Sequence, residues 1–250
     1  MTRVIDVERH GDVHVVRMAR GKVNALDLEL LHALRETFAG LRDAGAVVLT
    51  GVGRAFSAGV DLRRLLDGGS PYTTAFLTAL ASTFRTVFEH PRPVVAAING
   101  HAIAGGCILA AACDHRLMSA GTIGVSELAV GVPFPLEALE VLRFAVGPAA
   151  PGLILTARTL PPSQAMAIGL VDEVVEPDAL LNAALHRAGQ FAQIPAQTFT
   201  MTKAQLRREA LRRMDADGPA DAAQVQAAWT SPPVREAITA FLNRLATRER

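Results

Sequence analysis

Two glycine-bearing stretches carry the most visible chemistry in this chain: Ala55-Phe56-Ser57-Ala58-Gly59-Val60-Asp61-Leu62 and Asn99-Gly100-His101-Ala102-Ile103-Ala104-Gly105-Gly106-Cys107. Each follows a short apolar run, 46–50 and 94–98, that reads as a buried strand. Turns of this kind leave backbone N–H groups unclaimed. The second stretch runs into an apolar helix predicted over 106–112, whose first N–H groups have no intrahelical acceptor and carry a partial positive charge. Two such donors aimed at one point would hold a carbonyl oxygen that gains negative charge, which is the arrangement of an oxyanion hole. Taken singly, each stretch also reads as an ordinary glycine loop.

Other chemistries find less support. Gly51 and Gly53 follow a strand as a dinucleotide-binding turn would, but the third glycine of G-x-G-x-x-G falls at Phe56, and no Gly-Lys-Ser/Thr completes a phosphate loop. Ser57 has Ala55 where a G-x-S-x-G nucleophile elbow needs glycine. The seven histidines show no metal-ligand spacing, so no metal is expected. Cys107 and Cys113 lie in an apolar stretch and read as small buried thiols in a reducing compartment rather than a disulfide.

The make-up of the 250 residues, 50% hydrophobic and 20% charged, is that of a soluble globule, and the length predicts one large domain or a domain with an appendage. Lys+Arg 25 against Asp+Glu 24 leaves a formal net charge of +1, which provides no field for nucleic acid or an anionic membrane. Residues 1–10 lack the apolar segment of a secretory leader. The longest unbroken apolar run, 102–113, is shorter than the roughly 20 helical residues that span a bilayer. A cytoplasmic protein without nucleic-acid or membrane partners is expected.

The elements that must position the two turns follow from periodicity. Strands over 4–8 and 13–18 flank His10-Gly11-Asp12 as a hairpin. Leu30, Leu31, Leu34, Phe38 and Leu41 have helical spacing, with Asp27 as N-cap and Gly45 as stop. Ser70-Pro71 opens a second helix, carrying Phe76 to Phe88, that must end before Pro91. Strand, helix and strand at these intervals predict right-handed crossovers and a mostly parallel sheet. Beyond Pro133 helices are predicted over 136–146, 149–156, 163–168, 178–192, 198–214, 220–229 and 233–248, with one late strand over 170–175 and a hinge over 215–221.

Taken in order, the residues resemble the enoyl-CoA hydratase/isomerase, or crotonase, family. The resemblance is carried by Lys22-Val23-Asn24-Ala25-Leu26, by 55–62, by Asn99 through Asp114, by Ser126-Glu127 with Gly131, by Ala165-Met166-Ala167-Ile168-Gly169-Leu170-Val171, and by Arg235-Glu236-Ala237-Ile238-Thr239-Ala240-Phe241-Leu242. It implies an α/β fold, a crotonase-like spiral of ββα units over 1–195, with a C-terminal helical region over 196–250 for packing and trimerisation. It further implies trimers or pairs of trimers, and an acyl-CoA thioester substrate of which coenzyme A is part, with no separate cofactor. The thioester oxygen would be held by the amides of Ala58 and Gly105. Lys22, Val23, Ala25, Ala58, Asp61 and Leu62 would line the nucleotide-pantetheine path, with Lys22 meeting phosphate as a point charge. Trp229 and Arg244 match C-terminal positions that can reach a neighbour's adenine and phosphate.

Hydratases of the family carry two glutamates, and this sequence keeps one. Glu127 matches the second; the first is Ile108, which has no proton to trade. That departure, with Pro133-Phe134-Pro135, is similar to the monofunctional enoyl-CoA delta isomerases. Relatives that isomerise dienes have an aspartate where this chain has Pro135. Asp61 and Asp114 also read as turn-bonding or capping residues, and Glu137 with Glu140 as a solvated helix face. The resemblance thus implies a 3-enoyl-CoA to 2-enoyl-CoA isomerase of fatty-acid metabolism with Glu127 as base, the alternatives being a weak hydratase and a silent acyl-CoA binder.

Overall fold

The computed structural model describes residues 4–248. β1 (Ile5–His10) and β2 (Val13–Met18) pair antiparallel, with Ile5 opposite Met18 and His10 opposite Val13. Asp27 then accepts the Leu30 N–H at 2.9 Å and caps α1 (Leu28–Gly40), satisfying one of the donors a helix start leaves free. Three ββα units follow. They are β3 (Ala46–Gly51), β4 (Ala55–Ser57) and α2 (Leu62–Phe88); β5 (Val94–Ile98), β6 (His101–Ile103) and α3 (Gly105–Ala111); and β7 (His115–Met118), β8 (Ile123–Gly124) and α4 (Glu127–Val130).

The first strand of each unit extends one parallel sheet, with Val47 beside Val94 and Ile98 beside Met118. The second strand of each joins another sheet, in which β4, β6 and β8 are parallel neighbours. The chain therefore advances as a spiral, and every second strand delivers it to the same end of the smaller sheet. The turns 58–61, 104–105 and 125–126 lie side by side there, at the carboxyl ends of three parallel strands, where α/β proteins place ligands.

The remainder is mostly helical: α5 (Leu136–Val146), α6 (Ala150–Leu155), β9 (Thr159–Leu160) antiparallel to β8, α7 (Pro162–Ala167), β10 (Glu173–Val174) parallel to β7, α8 (Leu180–Ala192), α9 (Ala196–Trp229) and α10 (Pro232–Arg248). Residues Leu136–Leu155 are long and apolar enough by composition to cross a membrane. They break at a 3-10 turn, Gly147–Ala149, and α5 packs against α2, α3 and α9 as a core helix.

Strand alternation sorts the core into two layers. Val47 and Leu49 face the main core with Phe38, Phe56, Phe76, Phe84 and Phe88, whereas Ala46 and Val48 face α8 through Leu180, Ala184 and Ala188. Asp114 clamps the edge of this body. It accepts from the Val94 N–H at 2.8 Å, from Lys203 Nζ at 2.6 Å and from Arg207 Nη2 at 2.8 Å, tying β5 to α9.

Several boundaries differ from expectation for identifiable reasons. An unexpected helical segment from Leu62, capped by Asp61, precedes the helix expected to open at Ser70-Pro71, which does start there, just past a kink at Gly69 whose φ of +65° is not helical. α1 stops at Gly40, and Gly45 instead donates its N–H to Asp12 at 2.9 Å. The hinge expected over 215–221 is helical. α9 runs through Pro219 without interruption, with Met214 and Gly218 buried and Asp215 paired to Arg85 at 2.6 Å. The strand expected over 170–175 shrinks to β10. Glu140 is not on a solvated face. It is fully buried, with Arg143 and Arg213 each at 2.6 Å, and so ties α5 to α9.

Candidate active site

The segment 22–26 and the turn after β4 are laced together like a short parallel ladder. The Ala58 N–H donates to Val23 O at 2.9 Å, Leu26 N–H to Gly59 O at 2.8 Å and Asp61 N–H to Leu26 O at 3.0 Å. The alternation this imposes puts Val23, Ala25, Ala58 and Val60 on the wall of a cavity of about 470 Å³, and buries Asn24 and Leu26 behind it. Asn24 takes a positive φ of 51°, which asparagine tolerates better than most residues. Its Nδ2 donates to Ala55 O at 2.9 Å and Val52 O at 3.1 Å, while its carbonyl accepts the Ser57 hydroxyl at 2.8 Å. Sequence reasoning quoted Asn24 but assigned it nothing; an asparagine between two turn-flanked apolar residues was the available signal.

The turns after β4 and β6 touch. A Cβ on Gly59, whose φ is +82°, would stand 2.6 Å from Ile103 O and 3.4 Å from the Gly105 nitrogen, so only glycine allows this approach. Gly106 is equally committed, since a Cβ there would run into the Ser57 backbone. Ala104 lies between them at φ 52° and ψ −122°, a conformation that costs a non-glycine residue about 1–3 kcal/mol. That backbone turn fixes the direction of the following N–H, which belongs to Gly105, the first amide of α3, where the helix offers no acceptor.

The two expected oxyanion donors therefore differ. Gly105 stands at a helix start beside the cavity wall, whereas the Ala58 N–H is engaged by Val23 O at 2.9 Å, because the ladder that holds its turn uses that amide. Ala58 can serve an incoming oxygen only by sharing or exchanging that bond.

Glu127 comes from the third turn. It opens α4, lines the cavity with Ser126, Val130 and Val132, and is only 8% exposed. Burial drives its carboxyl up to about 7, against the opposing pull of its own N–H and of the Ser126 N–H, which donates to Oε2 at 2.8 Å. A carboxyl poised there exchanges protons readily near neutrality. Cys107 is buried close behind, its thiol pushed up by burial and by the Glu127 charge, so it stays a neutral packing residue.

The remaining expected residues separate into wall and surroundings. Asp61 and Leu62 line the cavity, and Asp61 also accepts the Arg64 N–H at 3.1 Å as the cap of α2. Lys22 is exposed on its turn and Arg244 is exposed on α10 with its guanidinium 5.9 Å from the Phe241 ring; neither lines the cavity. Trp229 does not reach outward to a neighbour. Its ring is 3% exposed inside its own chain, its Nε1 donates to Pro133 O at 2.9 Å, and it closes the cavity beside Val132. Ile108 is fully buried in the core and does not line the cavity. Sequence reasoning missed the rest of the wall: Arg63 as its cation, and Phe241, Leu242 and Leu245, which α10 brings over the chain's own site.

Comparison with known proteins adds a separate line of findings. A family described as enoyl-CoA hydratase/isomerase matches residues 8–248. The short-chain-enoyl-CoA hydratase of Clostridium acetobutylicum is 29% identical over 95% of this chain and 94% of that one. An apo structure of a Mycobacterium tuberculosis enoyl-CoA isomerase is 32% identical, covers 89% of this chain and 99% of its own, and superposes with a TM-score of 0.83. The human mitochondrial delta3-delta2-enoyl-CoA isomerase is 26% identical, covers 99% and 100%, and gives a TM-score of 0.94.

Proposed function

Since this chain belongs to the enoyl-CoA hydratase/isomerase family, whose members act on acyl-CoA, we propose that it moves a double bond from the β,γ to the α,β position of an enoyl-CoA. The observation that carries this reading is Glu127, the buried carboxyl of the cavity's lining, raised to about 7 among largely apolar residues, whereas Asp61, the other carboxyl of the lining, is only half-buried and caps α2. Ionised Glu127 takes a proton from the carbon next to the thioester carbonyl. The electron pair of that C–H bond passes to the thioester oxygen as an enolate conjugated with the double bond. Return of the proton to the γ carbon restores the carbonyl and leaves the double bond at α,β. The enolate oxygen is held by the Gly105 amide and by Ala58 once its bond to Val23 is shared, each donor being worth roughly 2.7–4 kcal/mol in other oxyanion holes.

Hydration additionally needs a water held and split, and in this chain the residue at the other glutamate position, Ile108, belongs to the core. The likeness to the human isomerase along nearly the full length of both chains supports the same reading. Hydratase names among the relatives keep hydration as the second reading. A 3-enoyl-CoA and a 2-enoyl-CoA, each followed by ultraviolet absorbance, separate the two: conjugation appears with the first under isomerisation, and is lost from the second under hydration. No change with either substrate would leave the binding-protein reading. The reading also has the chain working in the cytoplasm and assembling as a trimer or pair of trimers, the assembly being tested by light scattering and offered apolar contact by exposed side chains such as Leu155, Met201 and Leu206.

A further inference from the structure

A second, solvent-facing cavity, of about 420 Å³, lies between α2, α5 and α9, lined by apolar Leu77, Leu136, Met214 and Val225 and also by the charged Arg85 and Asp215. It shares two chain segments with the candidate active site. On α9, Val225 and Gln226 face the second cavity, and Trp229, one turn later on the same side of the helix, faces the active site. On the link between α4 and α5, Val132 faces the active site and Pro135 faces the second cavity. The two segments are joined between these positions by the Trp229 Nε1 to Pro133 O bond at 2.9 Å. A buried indole, fixed by its one polar atom, therefore closes the active-site cavity one helical turn from the residues that line the second, similarly sized space.

We propose that Trp229 is the end wall of the acyl pocket and sets the length of acyl chain this protein accepts, the cavity behind it being the space a longer chain would enter if the ring were removed. This rests on the acyl-CoA reading above. The indole is suited to such a role: rigid, with its N–H satisfied, it presents an apolar face to a hydrocarbon tail without leaving a donor unpaired. While a tail grows within the pocket, each methylene buried strengthens binding about fourfold. A methylene that meets the ring gains nothing and forces the chain to fold back.

The test is the chain-length profile of Trp229→Ala against wild type, read as kcat/KM for short-, medium- and long-chain 3-enoyl-CoAs and as calorimetric affinity for the corresponding saturated acyl-CoAs. The long-to-short ratio should rise at least tenfold in both. Trp229→Phe, which keeps a ring but gives up the bond to Pro133, should leave the ratio within a few fold of wild type. Trp229→Leu is the second opening variant should the alanine variant not fold, and Ala222→Phe, placed on the far cavity's lining, should reverse the gain in either opened variant. An unchanged ratio in a folded opened variant overturns the proposal. Calorimetry keeps the two claims apart: a profile that shifts in binding while nothing turns over preserves the wall and removes the isomerase reading.

Discussion

Replacing Glu127 by glutamine should trade catalysis for stability, and the trade should depend on pH in a way that can be worked from the structure. The carboxyl moves from its ordinary 4.5 to about 7 on folding, chiefly through burial. A raised folded-state pKa means that the protonated form is the one the fold favours. The contribution is therefore fully present below about pH 4.5, is lost as pH rises toward 7, and above 7 leaves the native state holding an unfavourable buried charge. At about 1.36 kcal/mol per pH unit of displacement, the full cost is roughly 3 kcal/mol. Glutamine is close to the same size, can keep the Ser126 N–H as donor to its side-chain oxygen, and does not titrate. Denaturant unfolding of both proteins between about pH 5 and pH 9 should show Glu127→Gln gaining roughly 2–3 kcal/mol on wild type across that range, a rise in Tm of about 2–4 °C per kcal/mol for a chain of this size. Other titrating groups, including buried His90 and Lys203, are common to both and cancel in the difference. Isomerisation should fall by roughly 10² to 10⁴ in the same variant. A stability difference that does not change with pH would refute the argument, because it would mean that Glu127 is not the buried, uncompensated carboxyl described here.

Four further outcomes are expected. Wild-type kcat/KM should fall about tenfold per pH unit below 7, as the base becomes protonated, and a profile flat down to pH 5 would exclude Glu127 from that role. Gly59→Ala, with its Cβ 2.6 Å from Ile103 O at a φ of +82°, should force the two turns apart and lower both Tm and kcat/KM, the strain being about 1–3 kcal/mol. Ala104→Gly should relieve a strained backbone and raise stability by about 1 kcal/mol after the entropy of the added glycine is subtracted, read as a shift in denaturant midpoint. Asp114→Ala leaves the ammonium of Lys203 and the guanidinium of Arg207 buried without their shared carboxylate and should cost about 3–5 kcal/mol, with the Lys203 pKa falling below its already lowered value of about 8 in a titration followed by NMR.

The glycine turns were legible in the sequence because their chemistry is backbone chemistry: close approach and free amides need glycine, and glycine is visible. The supporting strands β4, β6 and β8 were not, since two or three residues are too few to show alternation. Composition misled at 215–221, where Gly218 and Pro219 look like a hinge; packing of Met214 and the Arg85–Asp215 pair hold the helix through them. It misled again at Glu140, because whether a helix face meets water depends on what packs there, in this case Arg213 of α9. Glu127 could be picked out by resemblance to a family, but the burial that makes it a base near neutrality is a tertiary property. Trp229 could be aligned to an outward-reaching position, and only the path of α9 shows it turned inward onto Pro133.

The central claim is that one buried carboxyl carries a proton from one carbon to another along the same acyl chain. Deuterium placed at the α carbon of a 3-enoyl-CoA, with the product from the first turnovers analysed by NMR, tests this directly. Because Glu127 is only 8% exposed, the deuteron it accepts should be returned before it exchanges with water, and a substantial share of the label should appear at the γ carbon. A γ position filled wholly from solvent, or a product carrying a hydroxyl at the β carbon, would contradict the account.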